Sequence, residues 1–456
     1  MILATALSLL AAAGCAVLPD TEVLIERHTG QAARFENARG ALSTAKSAAI
    51  LAELKRKSGD IDILEKQMVL EQAIAGSPLV VGNKVTLLQD GAQTYAAMFA
   101  AMRKARDHIN LETYIIEDDD IGRQFADLLL EQQGKGIQVN VIHDSFGAIN
   151  TPKAFFERLT EGGIAVLEFN PLVVKKGWQI DNRDHRKLLV VDGKVAFIGG
   201  INISSVYSSG SIPRRGARPA RPETGGAVPW RDTDLQIEGP VVAELQKLFM
   251  ETWEKQHGKA LAAKEYFPAL KEQGKDIVRA IGSTPDDPYS LIYLTLISAI
   301  GNAERHVYLT QAYFVPDPQL LQALVGAAGR GVDVKLILPS HSDSEIVFHA
   351  GRSHYSTLLK AGVKIYERRG QLLHSKTALI DGVWSCVGST NLDWRSFLDN
   401  DEINAVVLGR DFAGQMQAMF TKDIDASEAI DPEQWERRPT LLRIKEWGSS
   451  LLQRLL

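Results

Sequence analysis

Two histidines, each two residues ahead of a lysine, carry most of the chemistry visible in this chain of 456 residues. His185 and Lys187 stand in a run that ends in Asp192-Gly193, and His374 and Lys376 in a run that ends in Asp381-Gly382. The repeat continues. A glycine follows at the same offset in each copy (Gly199, Gly388), then a small residue (Gly200, Ser389), then an asparagine (Asn202, Asn391). A lone histidine has a structural explanation; a histidine, a lysine, an Asp-Gly pair and an asparagine repeated at one spacing require a shared cause.

These residue types suit displacement at a phosphodiester. A transferring phosphoryl group carries charge on its non-bridging oxygens, which lysine ammonium and asparagine amide groups stabilise where it develops. One histidine can attack phosphorus while the other protonates the leaving alcohol. Both His-Lys pairs must then meet in one cleft, and carboxylates should hold each imidazole in a fixed tautomer. Asp232, in Trp230-Arg231-Asp232-Thr233-Asp234, and Glu402, in Asn400-Asp401-Glu402-Ile403-Asn404, are the candidates. Which carboxylate serves which ring is left open.

Strand parity divides the motif. Side chains alternate along a strand, so His185 shares a face with Lys187, and His374 with Lys376. Asp192 and Asp381 stand seven residues on, up to about 23 Å away. Asp-Gly between apolar runs signals a hairpin. A two-residue turn there pairs His185 with Gly200 and His374 with Ser389, which leaves room for substrate beside each ring. Asp192 and Asp381 are accordingly expected to be structural, as are Gly199, Gly200, Gly388 and Ser389.

The elements that must position these groups also repeat. Helical spacing over Ala97–Arg106 and Ile121–Gln133 alternates with strand patterns over His108–Tyr114 and Ile137–His143. Leu291–Asn302 and Leu320–Arg330 alternate in the same way with Val307–Phe314 and Val332–Leu338. Gly134-Lys135-Gly136 and Gly329-Arg330-Gly331 are matching helix exits. The pattern predicts an α/β fold of two similar domains, each a mixed, largely parallel sheet flanked by helices, packed pseudo-two-fold around one cleft. The expected divisions are a signal-like or lipoprotein-like segment (1–18), a helical lead-in (19–78), a first domain (79–254), a linker (255–285), a second domain (286–436) and a C-terminal amphipathic helix (437–456).

Composition narrows the partners. Hydrophobic residues at 45% and charged residues at 23% describe a packed protein, and a net charge of −5 gives no global attraction for nucleic acid or anionic lipid. Nucleic acid is therefore not an expected partner, and a nuclease is the weakest functional reading. Two cysteines make no disulfide framework. Cys386 reads as a buried small hydrophobe, whereas Cys15 ends an apolar run through Ala12-Ala13-Gly14-Cys15 that resembles a bacterial lipoprotein processing site, although no lysine or arginine precedes it. No later apolar run reaches the length of a membrane span. Residues 208–229 form a loop with Arg214, Arg215, Arg218 and Arg221. The C-terminus interleaves leucines, Ile444 and Trp447 with basic residues, a pattern suited to an interfacial helix.

The doubled motif resembles the signature of the phospholipase D superfamily, and within it the chain is most similar to the bacterial cardiolipin synthases. Asn110–Tyr114, Val190–Asn202, Trp230–Thr233, Ala312–Asp317 and Ser389–Ser396 carry the likeness, which runs from about Gly82 to the C-terminus. The resemblance implies phosphatidyl transfer from phosphatidylglycerol or phosphatidylethanolamine to phosphatidylglycerol, through a phosphatidyl-histidine, with neither metal nor other cofactor. It implies a membrane surface as partner, a place in the bacterial cell envelope, and His185 as nucleophile with His374 as acid and base. Tyr114, Tyr313 and Arg395 become substrate-binding candidates. A phospholipase D-type hydrolase that releases phosphatidic acid is the alternative. Oligomeric state is left open.

Overall fold

The chain enters through two short strands, β1 (Phe35–Asn37) and β2 (Gly40–Ala41), before the helix Thr44–Ser58. The helical lead-in thus begins later than its composition predicts. Phe35 is the reason: it is fully buried and its backbone pairs in parallel with Leu79, so tertiary burial overrides local propensity. The computed structural model describes residues 34–59, 63–64, 67–68, 76–171, 182–208, 229–287 and 289–456. Cys15 with its apolar segment, and residues 209–228 with the four arginines, lie outside these.

The first half contributes β3 (Leu79–Leu88), β4 (His108–Thr113), β5 (Gln138–Asp144), β6 (Ala165–Phe169), β7 (Arg183–Asp184), β8 (Lys187–Val191), β9 (Val195–Gly199), β10 (Trp230–Arg231) and β11 (Asp234–Glu238). The second contributes β12 (Asp276–Ser283), β13 (His306–Gln311), β14 (Asp333–Pro339), β15 (Lys364–Arg368), β16 (Leu372–Leu373), β17 (Lys376–Ile380), β18 (Trp384–Gly388), β19 (Asn400–Leu408) and β20 (Ser427–Ala429). Hydrogen bonds order the first set β6-β5-β4-β8-β9-β11-β3 and the second β15-β14-β13-β17-β18-β19-β12. The wiring is the same, as a duplication requires. In each half the sheet is mixed. Its first three strands run parallel, and the Asp-Gly hairpin makes the next pair antiparallel.

Matching caps set the helices. Asp119 accepts from the N–H groups of Ile121 and Gly122 and opens Asp120–Gly134; Asp317 accepts from Gln319 and Leu320 and opens Pro318–Gly329. Both helices leave through a glycine with positive φ, Gly136 at 85° and Gly331 at 88°.

The stretch expected to link the halves ends instead in a core strand. β12 pairs with β19 over seven residues and also meets β3, so it joins the two sheets into one. Ile277 to Ile281 are buried in succession, on both faces, which removes the alternation that marks a half-exposed strand. A core shared by both halves lies there, with Leu188, Val190, Ile198 and Val278 packed beside Val387, Ile403 and Ala405.

The two hairpins differ from the expected register by one place. Val191 pairs with Val195 and Ile380 with Trp384, so the turn holds three residues rather than two. Asp192 (φ 54°) and Gly193 (φ 61°) are both left-handed, as are Asp381 (52°) and Gly382 (65°). His185 is therefore not opposite Gly200, nor His374 opposite Ser389, and both histidines precede their strands. The Asp192 carboxylate accepts from the N–H groups of Arg106 (3.0 Å), Asp107 (2.8 Å) and His108 (3.1 Å) at the start of β4. Asp381 does the same for Glu304, Arg305 and His306 at the start of β13.

An amide in this place has one acceptor oxygen and a nitrogen that repels N–H groups. Asp192→Asn is expected to lower the unfolding free energy by about 1–3 kcal/mol, with turnover of the folded enzyme near the parental value. Urea unfolding and initial rates check this; a large loss of rate in a fully folded variant would give Asp192 a part in the chemistry.

Candidate active site

Each histidine is tied to the other half by its own backbone. β7 pairs in parallel with the start of β19, and the His185 N–H donates to the Asp401 carbonyl at 2.9 Å. β10 pairs in parallel with β16, and the His374 N–H donates to the Arg231 carbonyl at 2.8 Å. These ties cross the halves, and so do the carboxylates. His185 Nδ1 lies 2.9 Å from Glu402 Oε1, and His374 Nδ1 lies 2.6 Å from Asp232 Oδ2. All four side chains are buried. A carboxylate only accepts, so each Nδ1 carries the proton and each Nε2 keeps its lone pair.

The lysines lie beside their histidines: Lys187 Nζ donates to the His185 carbonyl at 2.6 Å, and Lys376 Nζ to that of His374. Burial pulls Lys187 down to about 7, with Lys376 lowering it further, and pulls Lys376 down to about 8. Burial also pulls His374 down to about 4, aided by Lys376, and holds His185 well below the usual imidazole range. Glu402 is pushed up to about 7 by burial against the pull of Lys187. An uncharged imidazole with its Nδ1 proton held by a carboxylate and its Nε2 lone pair free can act as a nucleophile.

The small residues are fitted to the side chains of the neighbouring strand. A side chain at Gly200 would collide with the Asp232 carboxylate, one at Gly199 with Asp234, and one at Gly388 with Asn404. Ser389 fits where Gly200 does in the other copy, and its hydroxyl donates to Glu402 and accepts from the Ile403 N–H at 3.0 Å. The expectation that these positions leave room for substrate is overturned, because the returning strand runs beside the orienting carboxylates.

The asparagines differ in their surroundings. Asn202 Oδ1 accepts from the Ile115 N–H at 3.1 Å, and its Nδ2 donates to the Tyr207 hydroxyl at 3.0 Å. The Asn391 N–H donates to Ser396 Oγ, and its buried Oδ1 has no hydrogen-bond partner among the described residues. Tyr114 stands edge-on to His185 at 5.1 Å between ring centroids, and Lys187 Nζ lies 5.2 Å from the Tyr114 centroid. Tyr313 stands edge-on to His374 at 6.4 Å, with its hydroxyl donating to Asp343 at 2.6 Å. Arg395 is partly exposed, and its charge acts on both His185 and Tyr114.

Sequence reasoning missed two neighbours of His374. The Tyr207 hydroxyl lies 3.4 Å from its Nδ1, and the Trp230 ring 4.9 Å from its centroid. The signal was available as an asymmetry: Tyr207 stands five residues after Asn202, where the second copy has Ser396. Two buried arginines were also missed. Arg231 donates to Asp423, Thr233 and Ser375, and Arg186 to Thr252 and the Glu402 carbonyl, so each braces the chain behind one histidine. Among the described residues no cluster of three His, Cys, Asp or Glu side chains has the geometry to hold a metal ion.

A family model described as "Cardiolipin synthase, PLD-like domain" matches residues 98–209 and 296–424. The chain is 36% identical over 390 residues to the cardiolipin synthase of Geobacillus kaustophilus (strain HTA426), covering 85% of this chain and 75% of that protein. It is 36% identical over 365 residues to cardiolipin synthase A of Pseudomonas putida, covering 78% and 71%. Among solved structures, the phosphatidylserine synthase of Haemophilus influenzae Rd KW20 shares the fold, with a TM-score of 0.60 at 13% identity over 86% of this chain and 100% of that one.

Proposed function

This chain belongs to the phospholipase D superfamily, in its cardiolipin synthase family, and from that premise we propose how its cleft moves a phosphatidyl group onto phosphatidylglycerol. It is a membrane-associated bacterial phosphatidyltransferase whose product is cardiolipin. The observation that carries the mechanism is the crossed pair of buried imidazoles, each with Nδ1 on a carboxylate of the opposite half.

In this reading His185 Nε2 attacks the phosphorus of a donor lipid, forming a P–N bond as the bond to the headgroup oxygen breaks. His374, protonated once the anionic phosphodiester offsets the lysine charges, gives its Nε2 proton to that oxygen. The glycerol of phosphatidylglycerol or the ethanolamine of phosphatidylethanolamine leaves. A hydroxyl of an incoming phosphatidylglycerol then returns a proton to His374 and attacks phosphorus, the P–N bond breaks, and cardiolipin forms. Lys187 and Lys376 stabilise the phosphoryl oxygens, Asp232 and Glu402 hold the tautomers, and Asn202 and Asn391 line the same cleft. Tyr114, Tyr313 and Arg395 contact the headgroup. The protein's own groups suffice, without a cofactor. An acyl anchor at Cys15 places the enzyme on the periplasmic side of the membrane.

Purified protein given phosphatidylglycerol alone is expected to yield cardiolipin and glycerol in equal amounts. Added phosphatidylethanolamine should release ethanolamine if it serves as donor. Phosphatidic acid as the main product, with no cardiolipin, would favour the hydrolase.

A further inference from the structure

The C-terminal helix is turned inside out. Thr440–Ser450 packs against the helix Glu345–Arg352, and the side chain it buries is Glu446, which binds Arg438 at 2.8 Å. Leu441, Ile444 and Trp447, three residues apart on one face, are 65%, 58% and 65% exposed. Leu451 and Leu455 extend that face to the end of the chain. A helix that hides an ion pair and displays its apolar side offers a surface for a partner.

The display is confined to one neighbourhood. Apart from Phe267, every exposed large apolar side chain among the described residues lies on three segments, and each segment is tied by a neighbouring contact to a residue near the candidate site. Phe146 and Ile149 follow β5. Gly147 between them lies so near Tyr114 that a side chain there would meet its carbonyl, and Tyr114 faces His185. Ile346 follows β14, the equivalent strand of the second half. Asp343, three residues before it, holds the hydroxyl of Tyr313, which faces His374. The C-terminal turn meets the chain just after Asn391: the Arg395 N–H donates to the Leu456 carbonyl at 3.2 Å, and the Arg454 guanidinium lies 5.5 Å from the Trp394 ring centroid.

We propose that these three segments form one docking face that seats the mouth of the cleft on a phospholipid bilayer. The choice of a bilayer rests on the function proposed above, since the headgroup of such a substrate must enter the cleft while its acyl chains stay in lipid. A second copy or a protein partner on this face would stand between the cleft and its substrate. Lys445 and Arg454, exposed beside the apolar side chains, suit an anionic surface that a chain of net charge −5 does not attract as a whole.

Fluorescence of the full chain on vesicles of phosphatidylglycerol brominated near the carbonyl end of its acyl chains tests this directly. The part of the emission that Trp447→Phe removes is expected to be quenched in the parent protein. Vesicle-bound protein whose Trp447 emission is unquenched would overturn the docking face, whatever other segment anchors the chain. Kinetics give a second arm. Ile444→Glu combined with Phe146→Glu is expected to lower turnover on vesicles by about ten-fold or more relative to turnover on dispersed short-chain phosphatidylglycerol, while Phe267→Glu changes neither. An equal fall on both forms of lipid would also overturn it. The two proposals fail separately: quenching without cardiolipin from any lipid leaves the docking face and removes the chemistry, and cardiolipin without quenching does the reverse.

Discussion

His185→Ala and His374→Ala are each expected to lower cardiolipin formation by about 10⁴-fold or more, and the double variant to lose little beyond either single one. The two rings act as a unit. Without His185 no P–N bond forms, and without His374 no proton reaches an alkoxide too basic to leave alone. A donor whose headgroup is a good leaving group, such as a phosphatidyl nitrophenyl ester, separates the roles. It needs no general acid, so His374→Ala should still acquire a phosphatidyl group on His185 and hold it, because nothing then deprotonates the acceptor. His185→Ala should acquire none. The opposite labelling would exchange the roles, and near-normal turnover in either single variant would remove the two-histidine mechanism.

Glu402→Gln should be nearly as damaging, lowering turnover by about 10³–10⁴-fold. An amide can turn its NH₂ toward His185 Nδ1, which moves the ring proton to Nε2 and removes the lone pair that attacks phosphorus. The crossing of the pairs at 2.9 Å and 2.6 Å makes the test specific. A substitution in the second half silences the histidine of the first, so Glu402→Gln is expected to abolish labelling of His185 by the activated donor. Asp232→Asn, which acts on His374, should keep that labelling and block release. If instead Asp232→Asn abolished the labelling and Glu402→Gln spared it, the nucleophile would be His374. Circular dichroism and urea unfolding check that each variant is folded.

The proposed docking face would let a chain with no strong global charge work on lipid. Among the described residues no helix is long and apolar enough to cross a membrane, and every exposed large apolar side chain but Phe267 lies on the three segments of the proposed docking face.

Much of the fold was legible because periodicity is local. The helix Leu291–Asn302 was predicted to the residue, and the strands beginning near His108 and Val307 were placed within a few positions. β12 was not legible: buried on both faces and flanked by charged, Gly-containing sequence, it shows no alternation. Phe35 is alike, since only its burial against the second half takes it out of a helix. The hairpin register was missed by one residue because Asp-Gly fits a two-residue and a three-residue turn equally well. What decides between them is the carboxylate of Asp192, which reaches three N–H groups at the start of a strand that lies distant in sequence.

The sequence by itself determined which groups are the candidates for the chemistry, since residue type and repeat spacing are properties of the chain. It named both histidines, both lysines and the two orienting carboxylates. Only the tertiary structure decided how they are shared. Joining the sheets through β12, with the parallel ties of β7 to β19 and β10 to β16, sets each carboxylate against the histidine of the other half. No local pattern encodes a contact between positions 217 and 142 residues apart, because such a contact is fixed by packing and not by period. The same holds for the outward face of the C-terminal helix. Its amphipathic spacing is written in the chain, but which side turns inward depended on the burial of Glu446 with Arg438 against the folded body.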